Sequence, residues 1–320
     1  MEQGDKLYIV VPCYNEEEVL PETVARLTQK LHQLSEANRI APGSRMLLVD
    51  DGSRDRTWEM IREYHQSNPL VEGLKLARNR GHQNALLAGL MAAKERCDLT
   101  VSMDADLQDD IDAIDGMLEK YREGCDVVYG VRSSRETDTA FKRGTALAFY
   151  RLMNAMGAET VYNHADYRLM SRRALEGLSQ FREVNLFLRG LVPMVGYRTA
   201  TVEYRRGERF AGESKYPLTK MLNFAVDGIT SLSVRPIRVM ALAGAVLFAG
   251  GCLWLAVLLA LWLLGRQVTA AAVIVASVWG AAGLQLLGLG VIGEYLGKIY
   301  LETKARPRYL VETELTQEDR

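Results

Sequence analysis

The sequence predicts an α/β fold in which a mostly parallel, doubly wound sheet is followed by an amphipathic segment and a two-helix transmembrane hairpin. Short β-branched runs alternate with helix-periodic segments as far as Gly130, the spacing expected of successive βα units. Two apolar runs, Val239 to Leu264 and Ala270 to Ile292, each exceed the roughly 20 residues a helix needs to cross a bilayer core. An Asp-x-Asp pair, Asp104 and Asp106, stands at the end of one strand of the buried type. The expected boundaries are 1–216 for the α/β domain, 217–235 for an interfacial helix, 236–297 for the hairpin and 298–320 for a tail.

Leu7-Tyr-Ile-Val-Val-Pro12 is a strand by composition and length, and Cys13 to Glu18 is the loop after it. From Glu17 to Leu34 the apolar positions Val19, Leu20, Val24, Leu27, Leu31 and Leu34 recur at helical spacing. Met46 to Asp50 is the second strand; Gly52 supplies a tight turn, and Ser53 or Asp55 can cap a helix starting near Thr57. Val71 to Leu76 is the third strand, Gly81 opens a helix to about Lys94, and Leu99 to Asp104 is the fourth strand. Asp126 to Gly130 continues the pattern.

Past the carboxyl end of the fourth strand the alternation stops. Both Asp104 and Asp106 can then point into the crevice above the sheet, where α/β folds place ligands. Two acidic side chains there are costly without a cation between them. A divalent ion bridging to nucleotide phosphates is the natural candidate. A solvated acidic loop fits the same residues, and Asp50 and Asp51 equally fit simple turn chemistry.

The 320 residues carry a net charge of −1, so the chain lacks the basic footprint of a nucleic-acid binder. Cys13, Cys97, Cys125 and Cys252 have no metal or disulfide spacing, which suggests buried, reduced thiols in a cytosolic setting. Four scattered histidines make no zinc constellation. Met1 to Lys6 has no apolar core, so no signal peptide is expected. Lys220, Arg235 and Arg238 precede the first apolar run, Lys298, Lys304, Arg306 and Arg308 follow the second, and only Arg266 sits in the link Gly265 to Thr269. Positive-inside bias therefore places the domain and both termini in the cytoplasm, on a multi-pass inner (plasma) membrane protein. Gly280-Ala-Ala-Gly283 permits close helix packing and leaves room for a homo-oligomer.

Val11-Pro-Cys-Tyr-Asn-Glu-Glu17, Val49-Asp-Asp-Gly-Ser53, Gly81-His-Gln83 and Asp104-Ala-Asp-Leu-Gln-Asp109 occur in this order. The set resembles the family 2 glycosyltransferases of GT-A fold, whose sheet is Rossmann-like. More closely it resembles their polyprenyl-phosphate branch: bactoprenol glucosyltransferases, dolichol-phosphate mannose synthases and the undecaprenyl-phosphate formamido-arabinose transferase. The resemblance implies that Pro12, Tyr14, Asn15 and Glu16 shape a nucleotide pocket and that Asp51 lies near base and ribose. It implies that Asp104 contacts ribose and metal, that Asp106 ligates the metal and that Gln108 assists, with Mg²⁺ or Mn²⁺ as cofactor. The family usually has prolines after Asp-Leu-Gln-Asp. This chain has Asp110 and Ile111, a change expected to affect loop stiffness rather than chemistry.

On the acceptor side, Arg132 resembles the family's phosphate-binding arginine, and Arg143 is a second candidate. Phe141 to Asn154 reads either as a basic amphipathic helix on a membrane surface or as a core-facing helix with a solvated basic face. His164-Ala-Asp-Tyr-Arg-Leu-Met-Ser171 resembles the strand that holds the family's proposed base, which puts Asp166 at the acceptor. A lipid phosphate with a pKa near ~6 needs no proton removed, so Asp166 can instead orient acceptor or sugar, or simply pair with Arg168. Arg205 to Tyr216 resembles the family's loop that closes over both phosphates, with Arg209 and Lys215 as neutralising cations. Pro217 to Val234 has one apolar face and reads as the interfacial helix.

The implied reaction is an inverting transfer of one sugar from a nucleotide sugar, UDP-glucose for preference, to a polyprenyl (undecaprenyl) phosphate. GDP-mannose, UDP-N-acetylhexosamine and UDP-formamido-arabinose are alternative donors. A processive polysaccharide synthase would carry Gln-x-x-Arg-Trp and more spans, and Gln180-Phe-Arg182 lacks that pattern. A non-catalytic, membrane-anchored sugar-binding scaffold is the rival outside enzymes.

Overall fold

A computed structural model describes residues 4–132, 164–205, 207, 235–264 and 270–317. The chain divides into two compact units: Met1–Tyr150, Glu159–Pro217 and Arg306–Arg320 form one, and Arg151–Ala158 with Leu218–Ala305 form the other.

In the first unit β1 (Leu7–Cys13), β2 (Arg45–Asp50), β3 (Val71–Leu76) and β4 (Leu99–Ser102) alternate with α1 (Leu20–Glu36), α2 (Thr57–Ser67) and α3 (His82–Lys94). Then come α4 (Ala113–Arg122), β5 (Val127–Arg132), β6 (His164–Ser171), α5 (Arg172–Ser179), α6 (Leu188–Met194) and β7 (Thr199–Tyr204). A last strand, β8 (Val311–Leu315), lies near the carboxyl terminus. The strand order is β7-β5-β6-β4-β1-β2-β3-β8.

Every residue of β1 is buried because both faces of the sheet are covered, which is why parallel strands read as unbroken apolar runs. Leu7, Ile9 and Val11 join a core with Leu27 and Leu31 of α1, Ile61 of α2 and Met117 of α4. Tyr8 and Val10 face the other way, onto Leu86 and Leu90 of α3, Leu175 of α5 and Leu191 of α6. Gly89 lets α3 sit directly on the sheet: a Cβ there would stand 2.5 Å from Val10 Cγ1 and 2.6 Å from Val49 Cγ2.

The predicted strands and helices of the first 130 residues are present, with one shift of consequence. β4 ends at Ser102, so Asp104 lies two residues beyond it rather than in it. The central strands β4, β1, β2 and β3 are parallel, whereas β6 runs antiparallel to β4 and β5, and β8 antiparallel to β3.

β8 was not expected from the sequence, which suggests only a tail over 298–320. Val-Glu-Thr-Glu-Leu carries no buried apolar face, as befits an edge strand, so its pairing is invisible to periodicity. It is fixed by register with Gly73 to Leu76, by Ala77 N–H donating to Leu310 C=O at 2.9 Å and by Lys75 Nζ at 2.8 Å from Glu312. Arg96 bridges Glu314 and the buried Glu72. Deleting 311–320 should therefore cost on the order of 2–3 kcal/mol, a few net hydrogen bonds of about 1 kcal/mol each. Thermal unfolding of the full chain against the deletion measures this, and an unchanged midpoint would show the pairing to be dispensable.

In the second unit α7 (Arg235–Leu263) and α8 (Ala270–Lys304) are 29 and 35 residues long. Counting only the described residues, no helix is long and apolar enough to cross a membrane; positions inside both helices fall outside that count. The predicted interfacial helix, the link 265–269 and the stretch 141–154 lie outside the described residues.

Candidate active site

The sheet order reverses at β1, whose neighbours are β2 on one side and β4 on the other. Such a switch point opens a crevice beyond the carboxyl ends of the strands. The segments after β1 and β4 lie there, carrying Tyr14, Asn15 and Glu16 on one side and Asp104 and Asp106 on the other. Strand register brings in the rest. Ser102 is paired with Arg168, so the start of β6, with Asp166, runs past the end of β4. Val131 is paired with His164, and Arg132 with Tyr204.

Pro12 is buried in β1 beside Val49, while Tyr14 is 40% exposed. Asn15 takes a left-handed φ of 55°; its N–H donates to Ser53 Oγ at 3.0 Å and its Oδ1 accepts from Arg54 N–H at 2.9 Å. Glu16 N–H donates to Thr57 Oγ1 at 2.9 Å. Asp51 is buried and accepts from the N–H groups of Arg80 at 2.7 Å and Gly81 at 2.8 Å, so its carboxylate holds the loop that leads into α3. Burial pushes its pKa up despite those bonds. The turn beside it needs glycine: Gly52 has φ +67°, and a Cβ would meet Asn79 N at 2.7 Å and Arg78 C at 2.8 Å. Gly52→Ala should cost about 1–3 kcal/mol in backbone strain and weaken nucleotide binding by displacing Asp51 from its two donors. A melting curve and a UDP titration test this; unchanged UDP affinity would detach the turn from the donor site.

The acidic loop is braced by its neighbours. Thr23 Oγ1 donates to Ala105 C=O at 2.8 Å, Gly207 N–H donates to Gln108 C=O at 2.8 Å, and the buried Lys30 ammonium contacts Asp112 at 2.7 Å as well as Asp115. Leu107 takes a left-handed φ of 56° between Asp106 and Gln108, a strained conformation the bracing sustains. Asp106 Oδ1 accepts from Gln108 N–H at 3.2 Å.

Asp104 is half open to the crevice. Loss of surrounding water raises its pKa; His82 opposes the shift, while the charges of Asp166 and Asp106 add to it. Asp109, 4% exposed, is pushed up to about 6, first by burial and then by the charge of Asp104. The residues fit a hard divalent cation: the donors are carboxylate oxygens whose mutual repulsion a cation would relieve. Among the described residues no group of three or more His, Cys, Asp or Glu forms a closed metal site. Two aspartates would leave positions for phosphate oxygens and water, as Mg²⁺ prefers.

Asp166 is bound differently. Arg168, wholly buried, reaches its Oδ1 at 2.5 Å; Arg189 NH2 lies 3.2 Å and His82 Nε2 3.7 Å from its Oδ2. Burial alone would raise its pKa, but the charges of Arg189, Arg168 and His82 outweigh it and hold the carboxyl well below the usual range. A carboxylate so held stays ionised and is a poor proton acceptor. The Arg168 partnership is the structural alternative that the sequence left open. His82 also lies 3.4 Å from Asp104, linking the two acidic groups.

Arg132 Nε donates to Tyr204 Oη at 3.3 Å, and Tyr204 donates in turn to Asp109 Oδ1. Arg143, Arg209 and Lys215 lie outside the described residues. Four residues that sequence reasoning gave no role thus belong to the site: His82, Asp109, Arg189 and Tyr204. The first two stood inside quoted motifs; the other two had no local signal.

The sequence model described as Glycosyl transferase family 2 matches residues 8–179. The uncharacterized glycosyltransferase YkoT of Bacillus subtilis (strain 168) is 54% identical, over 98% of this chain and 93% of the relative. The bactoprenol glucosyl transferase of Shigella phage SfX is 38% identical, over 96% of this chain and 99% of its own length. Among solved structures, a mannosyltransferase from Pyrobaculum calidifontis in complex with GDP-Man and Mn²⁺ aligns with a TM-score of 0.45 at 18% identity, covering 92% of this chain and 88% of that one. The family model, which spans more than half of the chain, and the two full-length relatives establish that the chain is a glycosyltransferase and belongs to glycosyl transferase family 2.

Proposed function

We propose that the protein transfers one sugar, with inversion, from a nucleotide sugar to a polyprenyl phosphate at the cytoplasmic face of a membrane. UDP-glucose is the favoured donor and undecaprenyl phosphate the favoured acceptor. The observation that carries this reading is the grouping in one crevice of carboxylates suited to a cation, Asp104 and Asp106, with guanidinium groups suited to phosphate, Arg132 and Arg189. The full-length similarity to a protein named as a bactoprenol glucosyl transferase supports the lipid acceptor and the glucosyl donor.

Asp104 and Asp106, with Gln108 beside them, would hold a divalent ion, Mg²⁺ or Mn²⁺. When bound, such an ion neutralises the donor diphosphate and stabilises it as leaving group. Pro12, Tyr14, Asn15 and Glu16 frame the nucleotide, and Asp51 keeps the adjoining loop in place. Arg132 grips the acceptor phosphate, joined by Arg143, Arg209 and Lys215. One phosphate oxygen then forms the bond to the anomeric carbon as the bond to the diphosphate breaks on the opposite face. The departing nucleoside diphosphate takes the electron pair. Because the acceptor is largely ionised at neutral pH, no base is required, in keeping with an Asp166 that is held ionised. Asp166 instead fixes Arg189 and His82 at the mouth of the site.

A membrane hairpin accords with the length of α7 and α8, about 43 and 52 Å at ~1.5 Å per residue, against a bilayer core of about 30 Å. Exposed apolar side chains such as Leu242, Leu253, Leu286 and Leu289 on these helices favour lipid surroundings. The pairing of β8 with β3 accords with both ends of the hairpin lying in one compartment. Confining enzyme and lipid to one surface raises their effective concentration.

Purified full-length protein incubated with undecaprenyl phosphate, Mg²⁺ or Mn²⁺ and a panel of nucleotide sugars tests the reading. A lipid bearing a single sugar supports it. Polymer would indicate a synthase, and no product with any donor would leave a sugar-binding scaffold.

A further inference from the structure

We propose that Asp109 and Tyr204 are positioning residues that aim the Arg132 guanidinium at the acceptor phosphate and lock it to the loop carrying Asp104 and Asp106. The inference deepens the reading above and rests on its assignment of Arg132 to the acceptor.

The chain of contacts is short and directional. Arg132 Nε donates to Tyr204 Oη, which donates to Asp109 Oδ1; Arg132 NH2 lies 3.9 Å from the same oxygen. Tyr204 has little freedom to move. It is paired in register with Arg132 across β5 and β7, and its ring stands edge-on to Tyr167 at 5.3 Å and 85°. Tyr167 is itself tied to the acidic loop by donating to Asp110 C=O at 2.8 Å. The phenol therefore links two strand ends to the metal-side loop through side chains rather than backbone.

Asp109 adds a second, independent observation. It is 4% exposed, and its Oδ2 is buried without a hydrogen-bond partner. An asparagine could accept the same tyrosine hydrogen bond without burying a charge, so a carboxylate here is costly unless a cation stands beside it. The nearby guanidinium supplies a counter-charge: with Arg132 NH2 3.9 Å from Asp109 Oδ1 and Nε on Tyr204, the carboxylate helps to orient the planar fork of Arg132. Because Asp109 follows Asp106 by three residues, the acceptor cation is registered against the donor side. Attack by the phosphate oxygen requires that alignment.

Tyr204→Phe removes the hydrogen bonds to Arg132 and Asp109 but keeps the ring against Tyr167, and Asp109→Asn keeps an acceptor for Tyr204 but removes the charge. With undecaprenyl phosphate and UDP-glucose, each is expected to raise the acceptor KM about tenfold while leaving the Kd for UDP within twofold. In an Arg132→Ala background, which should itself raise the acceptor KM, neither change is expected to add more than about twofold. A full tenfold effect in that background, or a parallel loss of UDP affinity, would overturn the positioning role, as would wild-type acceptor KM in both variants. If Arg132→Ala alone leaves the acceptor KM unchanged, the acceptor assignment of Arg132 fails first and the positioning proposal falls with it.

Discussion

Asp106→Ala is expected to lower sugar transfer about a thousandfold or more without unfolding the domain. The magnitude follows from the several kcal/mol that a bound cation contributes to stabilising a diphosphate leaving group, at about 1.4 kcal/mol per tenfold in rate. Asp106 is half-buried in the loop beyond β4, where its Oδ1 accepts from Gln108 N–H. The loop is braced without it, through Thr23 and Gly207. Thermal melting should thus stay near wild type while calorimetric Mn²⁺ binding is lost. Wild-type turnover in the variant would remove Asp106 from the metal site and with it the proposed role of the acidic pair.

Arg168→Met should be the most damaging change to stability. Among the described residues Arg168 is the largest fully buried side chain, and its removal leaves Asp166 without its nearest cation in a site that is 8% exposed. Breaking a buried pair in this way costs about 3–5 kcal/mol, with the lower end expected here because Arg189 and His82 remain. The Asp166→Asn, Arg168→Met double variant should recover part of that loss, since no uncompensated carboxylate remains. The pH dependence has a definite sign. A carboxyl held below its ordinary value adds stability that is fully present above the unfolded pKa of about 4 and is lost as pH falls below it. The gap between wild type and Arg168→Met in urea midpoint should therefore be large at pH 7 and shrink progressively below pH ~4. A gap that stays constant across that range would mean that Asp166 is not held ionised by Arg168.

Much of the site was legible because its chemistry is local in the chain. The buried strands announce themselves through unbroken β-branched runs, and the acidic pair follows one of them at fixed spacing. Arg132 stands at a strand end for the same reason. Arg189 and Tyr204 were not legible: Arg189 meets Asp166 across 23 residues and Tyr204 meets Asp109 across 95, and neither lies in a motif that periodicity or turn chemistry marks. β8 was missed because an exposed edge strand needs no apolar face.

The sequence by itself determined the α/β alternation, the two long helices near the carboxyl end and the family. Only the tertiary structure decided which charges face one another. Antiparallel β6 runs its Asp166 past the end of β4, and α6 brings Arg189 to it, so this carboxylate sits among cationic groups that favour its ionised form. The physical reason is that composition and spacing fix where a residue falls on a strand, whereas its ionisation depends on burial and on neighbours that only folding supplies.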